Sequence, residues 1–298
     1  MTVPRRRADA EDAESEVYQM EIEIIKMDER KAKFILKNSS PAMANALRRT
    51  MLSDIPKMAI DRVEFHLGPI EVDDKEYESA TPLFDEVIAH RLGLVPVPTD
   101  LELFTPQDEC VCEGDGCPNC TIMYSLNEHG PGTVMSGSMV PLGNPDLKVK
   151  DEFIPVVELT DSQAVLIYAI AVMGTAKQHI KWQVVSGAGY KYYPIVTVDP
   201  KRATAEAVLN CMKVCPKGVF GVDEGKLVVE NPVECTLCKS CMESVNYDGS
   251  VTIEGDENNL LFTFETDGSL TAEQTLNKAA EILSEKAKAL SEEIGQLE

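Results

Sequence analysis

Residues 38–56 read NSSPAMANALRRTMLSDIP. This stretch decides how the N-terminal part folds, because a strand pattern ends in it and a helix begins. Ser40 suits a helix N-cap, its side-chain oxygen free to accept from a backbone N–H of the first turn. Pro41 suits the first helical position, where its missing N–H costs nothing. Met43, Leu47 and Met51 then recur every fourth residue, which predicts one apolar helix face. Arg48 and Arg49 fall in the C-terminal half, where cations complement the helix dipole.

Upstream, residues 17–26 (VYQMEIEIIK) alternate, with Met20, Ile22 and Ile24 on one face and Gln19, Glu21 and Glu23 on the other. That is the period of a half-buried strand. Asp28 and Glu29 make a turn, and residues 33–37 (KFILK) supply a partner strand. Residues 1–16 carry Arg5, Arg6 and Arg7 and then an acidic run, and read as a disordered arm without a secretory apolar core.

Downstream, residues 55–68 look extended, and a short helix is expected over 83–91, ended by Gly93, Pro96 and Pro98. Residues 136–199 read as strands with one or two short helices. The longest apolar run, 164–173, is far short of the roughly 20 residues a membrane helix needs. It is therefore a buried strand or helix. Pro194 and Pro200 flank the strand-like 195–199 and mark a boundary. Residues 250–254 and 260–265 read as two further strands. A long final helix starts at Thr271, with Gln274 placed to complete a capping box. Leu276, Ala280, Leu283, Ala287, Leu290, Ile294 and Leu297 form a heptad seam along it. The seam packs on its own domain or against a partner's helix; periodicity does not separate the two.

The chain has 298 residues, 44% of them apolar, enough for two or three cores. Lys and Arg total 28 and Asp and Glu 50, a net charge of -22, which argues against a broad nucleic-acid-binding face. A soluble, cytoplasmic protein is expected, with no membrane span.

Nine cysteines fall in two groups. In a reducing compartment, clustered cysteines hold metal more often than they pair. Cys110, Cys112, Cys117 and Cys120 place four thiolates within one short loop, with Gly114, Gly116 and Pro118 for its turns. That is the donor set of a closed structural zinc site, with iron the other candidate.

The second group is Cys211, Cys215-Pro216, Cys235, Cys238 and Cys241. Bacterial-type ferredoxins carry two copies of C-x2-C-x2-C-x3-C-P, and the fourth cysteine of each copy serves the other copy's cluster. Laid on this pattern, one cluster needs Ala205, Val208, Cys211 and Val245, and three of its four ligands are missing. The other needs Cys235, Cys238, Cys241 and Cys215, and is complete. One iron–sulfur cluster is expected, 4Fe–4S or 3Fe–4S. A zinc site or a redox disulfide is the alternative. Cys211 is left over, most simply as a small buried residue, with a disulfide or an occasional ligand the alternative.

No phosphate-binding glycine loop, no G-x-S-x-G elbow and no paired histidines occur. No active site is expected.

Together, NSSPAMANALRRTMLSDIPKMAI, HRLGLVPVP (90–98), the cysteine loop, AKQHIKWQVVSGAGYKYYP (176–194), the ferredoxin-like segment and the heptad helix resemble the α-like subunit family of DNA-directed RNA polymerases. That family spans bacterial α, its archaeal counterpart and the eukaryotic third-largest subunit. The resemblance implies an α+β fold: a discontinuous dimerisation domain (17–60 and 255–298), a mixed α/β insert with the zinc loop (61–200 and 246–254) and a ferredoxin-like iron–sulfur insert (201–245). It implies a non-catalytic assembly subunit of a nucleotidyltransferase, archaeal in type. Such a subunit pairs with subunit L, carries subunits N and P and docks the large catalytic subunits, to which Arg48 and Arg49 would be assembly contacts. The cluster would be structural or redox-sensing. The rival reading is a ferredoxin-type electron carrier.

Overall fold

The computed structural model describes residues 20–72 and 74–296; the arm expected at 1–16, the first residues of the 17–26 strand and Leu297 of the heptad lie outside the described residues. The fold is mixed α+β. β1 (Glu21–Met27) and β2 (Lys31–Lys37) form an antiparallel hairpin. α1 (Pro41–Ser53) follows, with Ser40 Oγ accepting from the Met43 N–H and Pro41 in the first turn. Its buried face is Ala44, Leu47, Thr50 and Met51; Met43, expected on that face, is 44% exposed.

β3 (Lys57–Phe65) enters a second region that continues through a small hairpin, β4 (Ile70–Val72) and β5 (Lys75–Tyr77), to α2 (Asp85–Gly93). β6 (Thr121–His129), β7 (Gly132–Met135), β8 (Met139–Pro141), β9 (Pro155–Leu159) and β10 (Ala164–Gly174) complete it. The apolar run 164–173 is thus a central strand, with β3 on one side and β6 on the other, in the order β3-β10-β6-β8. Tyr124, Ile167, Ile88 and Leu92 fill the core beneath it.

β11 (Val185–Val198) leads to α3 (Ala205–Val214), the hairpin β12 (Phe220–Asp223) and β13 (Lys226–Val229), and α4 (Ser240–Ser244). β14 (Val251–Thr266) returns along β11, and α5 (Ala272–Gly295) ends the fold with the expected capping box of Thr271 and Gln274. The first sheet has the order β1-β2-β14-β11.

The two segments expected as separate strands, 250–254 and 260–265, are one strand. Tyr192 pairs with Leu260 while Tyr193 pairs with Asp256, so Glu257, Asn258 and Asn259 bulge out of the ladder. Asn259 Nδ2 donates to Asp256 Oδ2 at 2.6 Å, and the Ser39 N–H donates to the Asn258 carbonyl. The polar run that suggests a turn is this self-bonded bulge.

The long β11–β14 pair therefore serves two cores. At one end Phe34, Phe262 and Tyr190 stack across three strands, with centroids 5.1 and 6.2 Å apart, under α1 and α5. At the other end Val196, Val198, Val251 and Ile253 pack with α3, β12, β13 and α4.

Two charged anchors tie the first core to its surroundings. The Lys57 ammonium, 4% exposed, donates to the Asp267 carboxylate and to the Gln183 carbonyl. Asp267→Ala leaves that ammonium buried and unpaired, and is expected to cost about 3–5 kcal/mol in urea denaturation. Asp54, beyond the end of α1, meets Lys286 of α5, Lys177 and the Ser53 hydroxyl. Burial pushes the Asp54 carboxyl up, but these contacts outweigh it and hold it down at about 2 instead of 3.8. A depressed carboxyl adds stability above its unfolded value, lost as pH falls through its folded value. Asp54→Asn should therefore remove about 2 kcal/mol at neutral pH and flatten the acid limb of the stability curve between about pH 4 and 2. Identical acid limbs for the two proteins would refute this.

Candidate metal centres and an uncovered apolar face

The first cysteine group sits on the loop between α2 and β6. A short helical turn, Gln107–Glu109, delivers Cys110, and Cys120 immediately precedes β6. Glu113, Gly114 and Gly116 adopt positive φ values (53°, 92° and 86°), which curl the loop back so that its two cysteine pairs face each other. Cys110 and Cys120 are buried, Cys112 and Cys117 half-buried. All four sulfurs lie within 4.8 Å of one another. Cys110 and Cys117 Sγ are 3.5 Å apart, Cys112 and Cys120 3.6 Å, Cys117 and Cys120 3.8 Å. Disulfide sulfurs would be about 2.05 Å apart. A tetrahedral ion with metal–sulfur bonds of about 2.3 Å sets its sulfurs about 3.8 Å apart, and these three of the six pairs lie near that spacing. The Cys117 N–H donates to Cys120 Sγ at 3.3 Å, the kind of outer contact that orients a metal ligand.

The thiol electrostatics are split. Burial pushes Cys112 up, but hydrogen bonds with Cys110 and with the backbone of Gly116 and Gly114 bring it down to about 6. Burial pushes Cys120 up to about 12. Without a cation the second thiol keeps its proton, so four thiolates at this spacing require positive charge between them.

The second group is arranged differently. Cys215, just after α3, and Cys235, Cys238 and Cys241, before and within α4, line one small cavity, partly open to solvent. Phe220, Val219 and Ile253 form its apolar side. Cys235 and Cys241 are buried, Cys215 is half-buried and Cys238 is exposed. These sulfurs are not drawn into a single-ion group like the first loop's; among the described residues only that loop forms one. Leu237 and Lys239 hold left-handed φ values of 58° and 61°. Such a conformation costs a non-glycine residue roughly 1–2 kcal/mol. Two of them so close together make the C-x2-C-x2-C run coil around the cavity, strain of the kind found where a loop is shaped for a ligand. The Leu237 N–H donates to Cys235 Sγ at 3.4 Å. Cys211 does not line the cavity; it is fully buried on α3 and its thiol donates to the Cys241 carbonyl at 3.7 Å.

The third feature is an apolar surface. Ile22 pairs with Leu36 and Ile24 with Phe34, so both point to the side of the sheet on which α1 and α5 pack. Yet β1 is uncovered: Ile22 is 42% and Ile24 56% exposed. On α5 the buried residues are Ala272, Thr275, Leu276 and Ala279, with Ile282 and Leu283 at the core's margin. Ala287, Leu290 and Ile294 of the seam are exposed, and so is Ala280. The seam thus packs at home in its first half and stands free in its second.

Residues 33–287 match the model of the RNA polymerase Rpb3/Rpb11 dimerisation domain. Over 278 residues the chain is 44% identical to DNA-directed RNA polymerase subunit Rpo3 of Thermoplasma volcanium, covering 93% of this chain and 100% of that one. The chain belongs to the archaeal Rpo3 family of RNA polymerase subunits. Other members are as close in extent. Rpo3 of Picrophilus torridus is 41% identical over 278 residues, 92% of this chain and all of that one. Rpo3 of Methanosarcina acetivorans is 36% identical over 281 residues, 93% and 99% of the two chains.

Family membership gives the three features a common setting. The Rpo3-family chain carries a dimerisation-domain match over both of its cysteine groups, from β2 to the middle of α5. Among the described residues no helix is long and apolar enough to cross a membrane. The α1 arginines expected as assembly contacts remain on the surface or near it: Arg48 Nε and Nη2 donate to Asn45 Oδ1 at 3.2 and 2.9 Å, and Arg49 is exposed. The surface apolar residues of β1 could be read in the alternating sequence. Their exposure could not, because alternation predicts which face is apolar and not what covers it.

Proposed function

We propose that this chain is a non-catalytic assembly subunit of archaeal RNA polymerase in the cytoplasm. It contributes no reacting group to the nucleotidyltransferase; it pairs with the smaller α-like subunit L, and the pair carries subunits N and P and docks the large catalytic subunits. The observation that supports this best is the uncovered face made by Ile22 and Ile24 of β1 and Leu290 and Ile294 of α5. An open apolar edge strand is an aggregation hazard unless something adds to it. A helix seam whose second half stands free needs a second helix. Both continue the core that Phe34, Phe262, Leu276 and Ala279 fill. Co-expression and affinity capture test it: subunit L should co-purify in equal amount, and failure of the intact chain to hold subunit L overturns the proposal.

We also propose a division into three domains, with the long β11–β14 pair running between two of the cores. Residues 17–60 and 255–298 form the dimerisation domain, 61–200 and 246–254 the insert with the metal loop, and 201–245 the ferredoxin-like domain. Cys110, Cys112, Cys117 and Cys120 hold one structural zinc: their spacing suits a single ion, and no ligand position is left open for chemistry. Cys215, Cys235, Cys238 and Cys241 hold one iron–sulfur cluster, 4Fe–4S or its 3Fe–4S form: the four line one cavity without gathering on a single point, and their spacing in the sequence is that of a ferredoxin cluster. Bound there, the cluster supplies a fold-stabilising crosslink between the α3 end and the α4 loop, and a reversible one-electron centre. This chain's residues wrap it in backbone N–H groups and apolar side chains. With one such cavity among these cysteines, a relay of centres is not built here, which disfavours the electron-carrier reading. Anaerobic purification followed by iron, acid-labile sulfide and zinc assays on one sample should give about four irons and one zinc per chain; zinc alone sinks the cluster.

A further inference from the structure

The cysteine cavity has an unusual neighbour on the sheet beneath it. Lys191 lies on β11 opposite Leu261, on the face away from the stacked Tyr190 and Phe262. Its ammonium donates to the Val233 carbonyl at 2.9 Å and to the Cys235 carbonyl at 2.5 Å. Those carbonyls bracket the turn that presents Cys235, whose N–H donates back to the Pro232 carbonyl at 3.0 Å. Lys191 is half-buried and, among the described residues, makes no ion pair. A carboxylate beside it, Glu234, is taken by Lys33 at 2.5 Å. Lys33 and Lys217, of like charge, are also near it, and Lys217 lines the cavity. In a chain of net charge -22, one lysine thus lines the cysteine cavity and a second holds the turn that presents one of its cysteines. Two neutral carbonyls do not offset the cost of drawing an ammonium out of water, and a nearby anion does.

We propose that Lys191 is a positioning residue for the cluster at Cys215, Cys235, Cys238 and Cys241. It fixes the Cys235 turn and supplies the positive charge that sets how readily the cluster takes up an electron. The proposal rests on the iron–sulfur reading of that cavity. A cluster on four thiolates is net negative, and reduction adds one electron and one more negative charge, with no bond made or broken in the protein. A fixed cation held at the turn that carries a cluster ligand would stabilise the reduced form more than the oxidised one. Removing it must shift the equilibrium toward oxidised cluster.

The experiment uses the full chain, purified or reconstituted without oxygen, in four forms: wild type, Lys191→Met, Lys191→Gln and Lys191→Arg. Iron and sulfide content is assayed, and each cluster is titrated with dithionite through mediator dyes. Iron and sulfide in the wild type test the iron–sulfur reading itself; their absence ends both. Given a wild-type cluster, the expectation is a roughly tenfold less favourable reduction in Lys191→Met and Lys191→Gln, about 59 mV for a one-electron couple, with Lys191→Arg close to wild type. Gln keeps a donor for the carbonyls without the charge, so it separates charge from hydrogen bonding. Unchanged potentials in both neutral variants overturn the proposal. If the neutral variants hold no cluster, retention by Lys191→Arg supports it. Loss from Lys191→Arg as well overturns it, since the side chain then acts by shape alone.

Discussion

Replacing Leu290 and Ile294 together by Asp is expected to weaken binding of the smaller α-like partner by about a thousandfold or more while leaving this chain folded. The two side chains are 58% and 53% exposed, so the free chain loses little by the change. In the complex each would lose about 1 kcal/mol of apolar burial, and each new carboxylate would be stripped of water at a cost of at least about 1–2 kcal/mol. The sum exceeds about 4 kcal/mol, which is three orders of magnitude in affinity. Ile24→Asp on β1 should act in the same direction, because Ile24 opens on the same side of the sheet through its pairing with Phe34. Titration calorimetry with purified partner reads the affinity, and circular dichroism of the free variant reads the fold. Wild-type affinity in the double variant would place the interface elsewhere and would falsify the assignment of this face.

The seam shows how far periodicity can be read. Steps of four and three predicted a continuous stripe from Leu276 to Leu297. Leu276 and Leu283 do meet the home core, and Leu290 and Ile294 do not. A straight helix drifts by about 20° per heptad against a strict seven-residue repeat. The face that α1 and the sheet cover is accordingly Ala272, Leu276 and Ala279, and Ala280 rotates out to solvent. The repeat says that a helix has two apolar neighbours; the sheet decides where one ends and the other begins.

Local chemistry was legible where a side chain acts on its own backbone. Ser40, Pro41, Thr271 and Gln274 do what their positions predicted, because capping depends on three or four residues. β14 was not legible as one strand, because GDENN at 255–259 carries turn residues and only the length of β11 holds both halves in one ladder. Met43 fails for a related reason: a four-residue spacing marks one stripe, and the sheet covers the neighbouring one through Ala44. Of the site, the cysteine spacing alone foretold that Cys110 to Cys120 would close on a point. It also separated Cys211 from Cys215, Cys235, Cys238 and Cys241, and Cys211 lies outside the cavity those four line. Lys191 had no sequence signal, being 44 residues from the cysteine whose carbonyl it holds.

The loop of the first cysteine group should respond to loss of a ligand locally, not globally. Cys120→Ser removes one of four donors. Structural zinc binds zinc-finger peptides with roughly 10–16 kcal/mol, so one ligand accounts for about 3–4 kcal/mol, a loss of two to three orders in zinc affinity. In a zinc finger that would unfold the whole module. Here the neighbouring core, with Tyr124, Ile122 and Leu126 on β6 packed against Ile88 and Leu92 of α2, closes without the loop. The variant should therefore keep its sheet, while the stretch from Thr105 to Cys120 becomes open to protease. The same site predicts a pH dependence. Zinc needs all four sulfurs deprotonated, and in the metal-free loop Cys112 sits at about 6 while burial pushes Cys120 up to about 12. Protons therefore compete with the metal, and competition from Cys112 sets in as pH falls through about 6. Retention measured against a fixed chelator should fall on acidification more steeply than a single-proton titration allows. Cleavage sites mapped by mass spectrometry, together with zinc content across pH, decide the matter. A Cys120→Ser chain that keeps its zinc, or a wild-type loop that holds zinc equally at pH 7 and pH 4, would show that these four sulfurs do not share one ion.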